Sequence, residues 1–301
     1  MRSIWSEKHR PQTLDELVGQ PDSFIAEMRA ILEGDAPMQH FLFCSPEPGT
    51  GKTTMARIIA DTLGWQLHQF NASSKRQRGI EFVEDDVAPL ARSGAWQTIF
   101  LLDEADRITP QAQDALKGVI EDATGFFILT ANDLTRVSRW LQSRCQVRHF
   151  RPIPDDLALE QLAVIAAREG AEVDGNDLFR IVARHNGDLR NAIGALQTLA
   201  HLPVGEREAF TRALQVDEVN SERVLSLAMK ECAFDDALAE MQGRPRDAIR
   251  SVFRYAVANP ARPEAKMRVI EAAVIAERDL IQGVDEGIAL HNFVRLLCQW
   301  R

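Results

Sequence analysis

The sequence lacks the features that would place it at once in most functional classes. Four cysteines occur in 301 residues, at 44, 145, 232 and 298, and none forms a C-x-x-C pair. That spacing argues against a zinc site and against a disulfide framework, and it fits a reducing compartment. No apolar run approaches the roughly 20 residues of a membrane span. Positive charge is not in excess: 35 Lys and Arg face 44 Asp and Glu, for a net charge of −9. Any contact with nucleic acid must therefore come from a local basic patch. No internal repeat or low-complexity segment occurs, and the polar start MRSIWSEKHRP is not the pattern of a signal peptide. With 45% apolar residues, the expectation is a soluble cytoplasmic protein with a sizeable core and about two domains.

The first half of the chain alternates strand and helix patterns. The runs His40–Cys44, Thr98–Leu102 and Phe126–Thr130 are continuously apolar or nearly so, which suits parallel strands buried on both faces. The stretches 65–70 (WQLHQF) and 147–150 (VRHF) read as further strands. Met55, Ile58, Ile59 and Leu63 recur at helical spacing, and Pro110 opens a predicted helix to Glu121. The alternation predicts an α/β fold with an open, doubly wound sheet. After Arg151–Pro154 nearly everything reads as amphipathic helix, broken at Gly170, Gly187, Pro203, Gly243, Pro260 and Gly283. The predicted domains are 1–151, 152–203 and 204–301.

Chemistry enters with SPEPGTGKTT, Ser45 to Thr54. A phosphate-binding loop follows G-x-x-x-x-G-K-[ST], with backbone N–H groups around the phosphates and a helix N-terminus behind them. Gly51, Lys52 and Thr53 close the pattern, but Pro46 stands where its first glycine belongs. That glycine mainly shapes the entry turn. Proline there loses one N–H and stiffens the turn. Pro48, Gly49, Thr50, Gly51, Lys52, Thr53 and Thr54 lie between a predicted strand and a predicted helix, and they are the expected ATP-binding residues. Lys52 reaches the terminal phosphates and Thr53 binds Mg²⁺. The strand IFLLDEAD ends in Asp103, suited to the magnesium shell, and Glu104, suited to polarising an attacking water. Asn132, just past Phe126–Thr130, can orient that water or bind the γ-phosphate.

This ordered set resembles the AAA+ ATPases, and more narrowly the clamp-loader subunits, over most of the chain. Trp5–Gln20 (WSEKHRPQTLDELVGQ) resembles the N-terminal box of replication factor C small subunits, which implies an adenine pocket at Trp5, Arg10, Pro11, Val18 and Gly19. Asn71–Glu81 is similar to their NAS-x-x-RGI segment, and Leu141–Cys145 to their S-R-C motif. The latter implies that Arg144 enters a neighbouring subunit's ATP site. Gly187–Ile193 is similar to the second sensor, with Arg190 as its arginine. The S-P-x-P-G-T-G-K-T-T spelling and the ending LLCQWR are similar to the phage T4 clamp-loader ATPase subunit, while the N-terminal box is closer to cellular subunits. The resemblance implies an AAA+ P-loop sheet with helices on both faces, then a helical lid, then a helical collar. It also implies a pentamer with a different fifth subunit, a sliding clamp and primer–template DNA as partners.

Lys75, Arg76 and Arg78 form the densest basic cluster, and Arg107 follows the acidic motif. All four are candidates for DNA backbone contacts, which position without reading sequence. Aromatics are not interleaved with them, so base stacking is not expected. By resemblance, Lys75 would sense DNA and release Glu104 from an inactive pose. Ile80, Phe82 and Val83 read as helix core, with a clamp-contacting surface as the alternative. The main competing function is another AAA+ DNA motor or helicase loader; a branch-migration motor would be expected to end in a winged helix.

Overall fold

In a computed structural model, residues 3–93, 96–214, 220–241, 245–258, 263–282 and 284–299 are described. The expected breaks at Gly243, Pro260 and Gly283 lie outside these residues. Contacts divide the chain into two compact units, Met1–Glu208 and Ala209–Arg301.

The first unit is built on five parallel strands, β1 (Phe41–Cys44), β2 (Gln66–Asn71), β3 (Thr98–Asp103), β4 (Phe126–Ala131) and β5 (Gln146–His149). Their spatial order is β2-β3-β4-β1-β5. The order explains the compositions. β1, β3 and β4 are central and buried on both faces, so they are apolar throughout. β2 (QLHQFN) and β5 (QVRH) form the edges and carry the polar residues that an edge tolerates. Because side chains alternate across a strand, neighbours on one strand join different cores. Leu42, Phe100, Leu102, Phe127 and Leu129 pack on one face. Phe41, Phe43, Ile99, Leu101 and Ile128 pack on the other.

Helices α1 (Trp5–Lys8), α2 (Asp22–Glu33), α3 (Lys52–Leu63), α4 (Ala88–Ser93), α5 (Pro110–Asp122) and α6 (Arg139–Arg144) accompany the sheet. Met28, Met55, Ile58 and Ile59 of α2 and α3 fill the second core, while Leu116 and Val119 of α5 fill the first. Thr109 caps α5 by accepting from Ala112 N, and Pro110 takes the first helical position as expected. A π-helical turn at Phe82–Val87 precedes α4. It buries Phe82 and Val83 in the core, as the sequence suggested, but leaves Ile80 exposed. Burial pushes the Cys145 thiol up to about 12, which keeps it protonated and inert.

Helices α7 (Asp155–Arg168), α8 (Gly175–His185) and α9 (Leu189–His201) complete the first unit around Leu162, Ile165, Ile181, Val182, Leu196 and Leu199. α1 docks on α9: Gln197 Oε1 accepts from Trp5 N at 3.0 Å, and the Trp5 and His201 rings lie 5.8 Å apart. The boundary between the units falls inside α10 (Val204–Leu214). The second unit contains α11 (Ser221–Leu225), α12 (Phe234–Glu240), α13 (Pro245–Ala258), α14 (Pro263–Ile281) and α15 (Glu286–Gln299). Its own core includes Met241, Ile249, Val252, Val269, Phe293 and Val294. Among the described residues after β5 there is no strand.

Candidate nucleotide site

Parallel strands place their carboxyl ends on one edge, where α/β folds bind ligands. Register puts Cys44 beside Ala131 and Asn71 beside Asp103. The phosphate loop, the acidic pair and Asn132 therefore meet at one edge although they are far apart in sequence. A cleft there is lined by Arg10, Pro11, Val18, Pro48, Gly49, Thr50, Gly51, Lys52, Thr53, Thr54, Asp103, Glu104, Asn132 and Arg190. All of these were singled out in the sequence.

The loop runs from β1 into the N-terminus of α3. Lys52 is 9% exposed, and its ammonium donates to Ser45 O at 3.3 Å and Glu47 O at 3.1 Å. Burial pushes its pKa down. A phosphate beside it would restore the preference for the charged form. Gly49 has φ +69°, and a Cβ there would lie 2.0 Å from Asp188 Oδ1. No side chain fits that cradle. Pro46 is exposed and does not line the cleft, so the departure from the usual loop pattern lies outside the phosphate cradle.

Thr53 Oγ1 lies 3.0 and 3.1 Å from the two Asp103 oxygens. Thr130, 2% exposed, donates its hydroxyl to Asp103 Oδ1 at 2.5 Å and accepts from Glu104 N at 3.0 Å. It thereby orients both acidic residues. Glu104 adopts a left-handed backbone at φ 57° and ψ 46°. Its buried Oε2 is 2.8 Å from Arg107 Nε but off the line of that N–H, so the contact is an ion pair rather than a formed hydrogen bond. Asp106, 7% exposed, accepts from Asn132 N at 3.3 Å.

Other residues singled out in the sequence lie elsewhere. Trp5 packs on α9, and Gly19 lies behind the cleft beside Ile153; neither lines the site. At the Trp5 end the cleft instead has Ser6, His9, Gln161 and Ile165. His9 pairs with Glu169 Oε1 at 2.5 Å, and Lys8 reaches the same oxygen at 2.6 Å. These two bonds tie the N-terminal segment to the end of α7. Nothing in the spelling of the N-terminal box sets His9 above Trp5. Arg144 also lies outside this chain's cleft. It pairs with Glu121 at 2.9 Å and sits 5.7 Å over the Trp140 ring.

The basic candidates divide. Lys75 and Arg76 are exposed on a short 3-10 turn. Arg78 donates to Ala72 O at 2.6 Å and Ser73 O at 2.5 Å, so its guanidinium braces its own loop. Arg107 is engaged by Glu104. Glu104 thus has an ion-pair partner three residues on, in Arg107.

Residues 42–153 match the ATPase family associated with various cellular activities (AAA). The chain is 31% identical to the replication factor C small subunit of Archaeoglobus fulgidus over 98% of this chain and 97% of that one. It is 32% identical to the one from Methanoculleus marisnigri over 96% and 94%. Among solved structures, the Thermotoga maritima RuvB Holliday junction branch migration motor superposes with a TM-score of 0.58 at 19% identity, covering 76% of this chain and 84% of that one. Such a low identity speaks for the fold alone. The identity to the archaeal proteins is higher and extends over nearly all of both chains, so the chain belongs to the replication factor C small-subunit family, the clamp-loader type of AAA ATPase.

Proposed function

We propose that this chain binds ATP in the cleft and hydrolyses it as a subunit of a clamp loader, placing a ring-shaped sliding clamp on primer–template DNA. The observation that carries this reading is the convergence of Lys52, Thr53, Asp103, Glu104, Asn132 and Arg190 on one cleft at the sheet edge. Loop N–H groups and Lys52 hold the phosphates. Glu104 polarises the attacking water, which Asn132 helps to orient. Arg190 reaches the phosphates from α9. Thr53 and Asp103 present adjacent hydroxyl and carboxylate oxygens, hard donors of the kind magnesium takes, and would hold the ion. Magnesium, when bound, neutralises charge on the terminal phosphates.

Arg144 completes the site of a neighbouring subunit in this reading, and its exposure outside its own cleft supports that role. Lys75 and Arg76 are the free-standing candidates for DNA phosphates; Arg107 joins them when Glu104 is released. Residues 1–151 act as the nucleotide-binding domain, 152–203 as the lid and 204–301 as the collar of a pentamer with a different fifth chain. The loop spelling supports a phage T4-type loader acting in host cytoplasm.

The test is ATP turnover by the purified complex with and without primed DNA and clamp. Lys52→Ala is expected to abolish nucleotide binding. Glu104→Gln is expected to keep binding and lose about 10²–10⁴-fold in turnover. Wild-type turnover by Glu104→Gln would remove Glu104 from the reaction, and a wild-type complex indifferent to both clamp and DNA would sink the loader reading.

A further inference from the structure

Gln20 is a buried polar residue outside the cleft that the mechanism above does not use. It is 8% exposed, and its carboxamide joins two segments distant in sequence. Its Oε1 accepts from Arg151 N at 3.1 Å, and its Nε2 donates to Arg151 O at 3.2 Å. The same Nε2 donates to Thr50 O at 3.2 Å. One side chain thus grips the phosphate loop and the connection from β5 to α7. Gln161 and Ile165 of α7 line the cleft.

The bond to Thr50 has a directional consequence. Thr50 C=O and Gly51 N–H share one planar trans peptide, so they point in opposite directions. Holding the carbonyl therefore aims the Gly51 N–H away from Gln20, and Gly51 lines the cleft while Gln20 does not. Gly51 itself has φ +100°, and a Cβ there would sit 3.0 Å from Leu17 Cδ1. The peptide is free to turn only as far as its neighbours allow, and Gln20 is the polar group that fixes its angle. Arg151 is held by the same amide and is followed by Pro152, Ile153 and Pro154, a short stiff path to α7. Any rotation of the Thr50–Gly51 peptide is therefore felt at the start of that path.

We infer that Gln20 is a positioning residue: it orients the Gly51 N–H for phosphate and couples occupancy of the phosphate loop to the placement of α7. The inference rests on the reading of the cleft as a nucleotide site and deepens it. No other described group bonds both segments through one side chain.

The test uses the full chain, ADP titration and hydrogen exchange read by mass spectrometry. In wild type, saturating ADP is expected to slow exchange over 48–54 and over 151–165 together. Gln20→Met keeps the side-chain length and removes all three hydrogen bonds. It is expected to weaken ADP about five- to tenfold, the worth of one or two buried hydrogen bonds. At saturating ADP, protection over 48–54 should persist in this variant while that over 151–165 is lost. Gln20→Glu keeps an acceptor for Arg151 N but no donor for Thr50 O, and the same uncoupling is expected, so it carries the test if Gln20→Met does not fold. Wild-type affinity and wild-type protection in either folded variant overturn the inference. Weaker binding with protection over 151–165 intact also overturns the coupling and leaves Gln20 as a loop anchor. A lowered melting temperature with unchanged affinity and protection makes the role merely structural. A wild-type chain that binds no ADP overturns the nucleotide reading, and this inference with it.

Discussion

At the scale of single residues, the site is a set of charges already spoken for. Pro46 interrupts the usual loop pattern but stands outside the cleft. In the proposed reading, the N–H groups that would face a phosphate belong to Gly49 through Thr53. Pro46→Gly is therefore expected to leave nucleotide affinity nearly unchanged. A loss beyond tenfold in an ADP titration would mean that the proline itself sets the loop. Arg107 is the more informative position. It holds Glu104 by a partly exposed ion pair at 2.8 Å, and such pairs contribute ~0.2–1 kcal/mol. Releasing Glu104 by Arg107→Ala should raise DNA-free ATP turnover up to about fivefold. Lys75→Ala, whose side chain does not touch Glu104, should leave that rate nearly unchanged. Steady-state assays without DNA compare the two. A rise only in Lys75→Ala would place the switch at Lys75, as the family resemblance implies.

At the scale of elements, short loops after the strands are stapled by buried polar side chains. Gln113 on α5 is 3% exposed. It donates to Ile108 O and Arg136 O, both at 3.0 Å, and accepts from Ser138 N at 2.7 Å. Ser138 caps α6, which ends in Arg144. One amide thus fixes the loop after β3, the loop after β4 and the start of the helix that carries the candidate finger. Gln113→Ala orphans two carbonyls and one N–H. The expected cost is at least the ~1–3 kcal/mol of one buried unsatisfied group. Urea unfolding measures it, and a change within 0.5 kcal/mol would mean that the loops re-pair among themselves.

At the scale of the molecule, the proposed complex requires one chain to supply groups to another. With a net charge of −9, attraction to DNA would have to come from local groups of exposed cations rather than from the chain's overall charge. Arg144 lies away from its own cleft, so Arg144→Ala chains should bind ATP but hydrolyse it poorly in complexes. Arginine fingers contribute 10³–10⁵-fold in other P-loop enzymes. Mixing Arg144→Ala with Lys52→Ala chains should recover some turnover, because a mixed interface joins an intact site to an intact finger. If assembly is confirmed by mass and no mixing ratio recovers activity, Arg144 does not act in trans.

The sequence by itself determined what depends on local pattern. Continuous apolar runs made the central strands legible, because burial on both faces leaves no place for polar residues. Gly51, Lys52 and Thr53 declared the phosphate loop, and Pro110 marked where α5 begins, since each of those signals acts within a few residues. Only the tertiary structure decided which long side chains were already engaged. Arg78 and Lys75 look alike in K-R-Q-R, yet one braces backbone carbonyls and the other stands in solvent. Trp5 was the more conspicuous residue of the N-terminal box, yet His9 reaches the cleft. Gln20 bonds Thr50, 30 residues on, and Arg151, 131 residues on. The reason is physical: a flexible polar side chain takes whatever partner folding brings within 3 Å, and chain separation says nothing about which partner that will be.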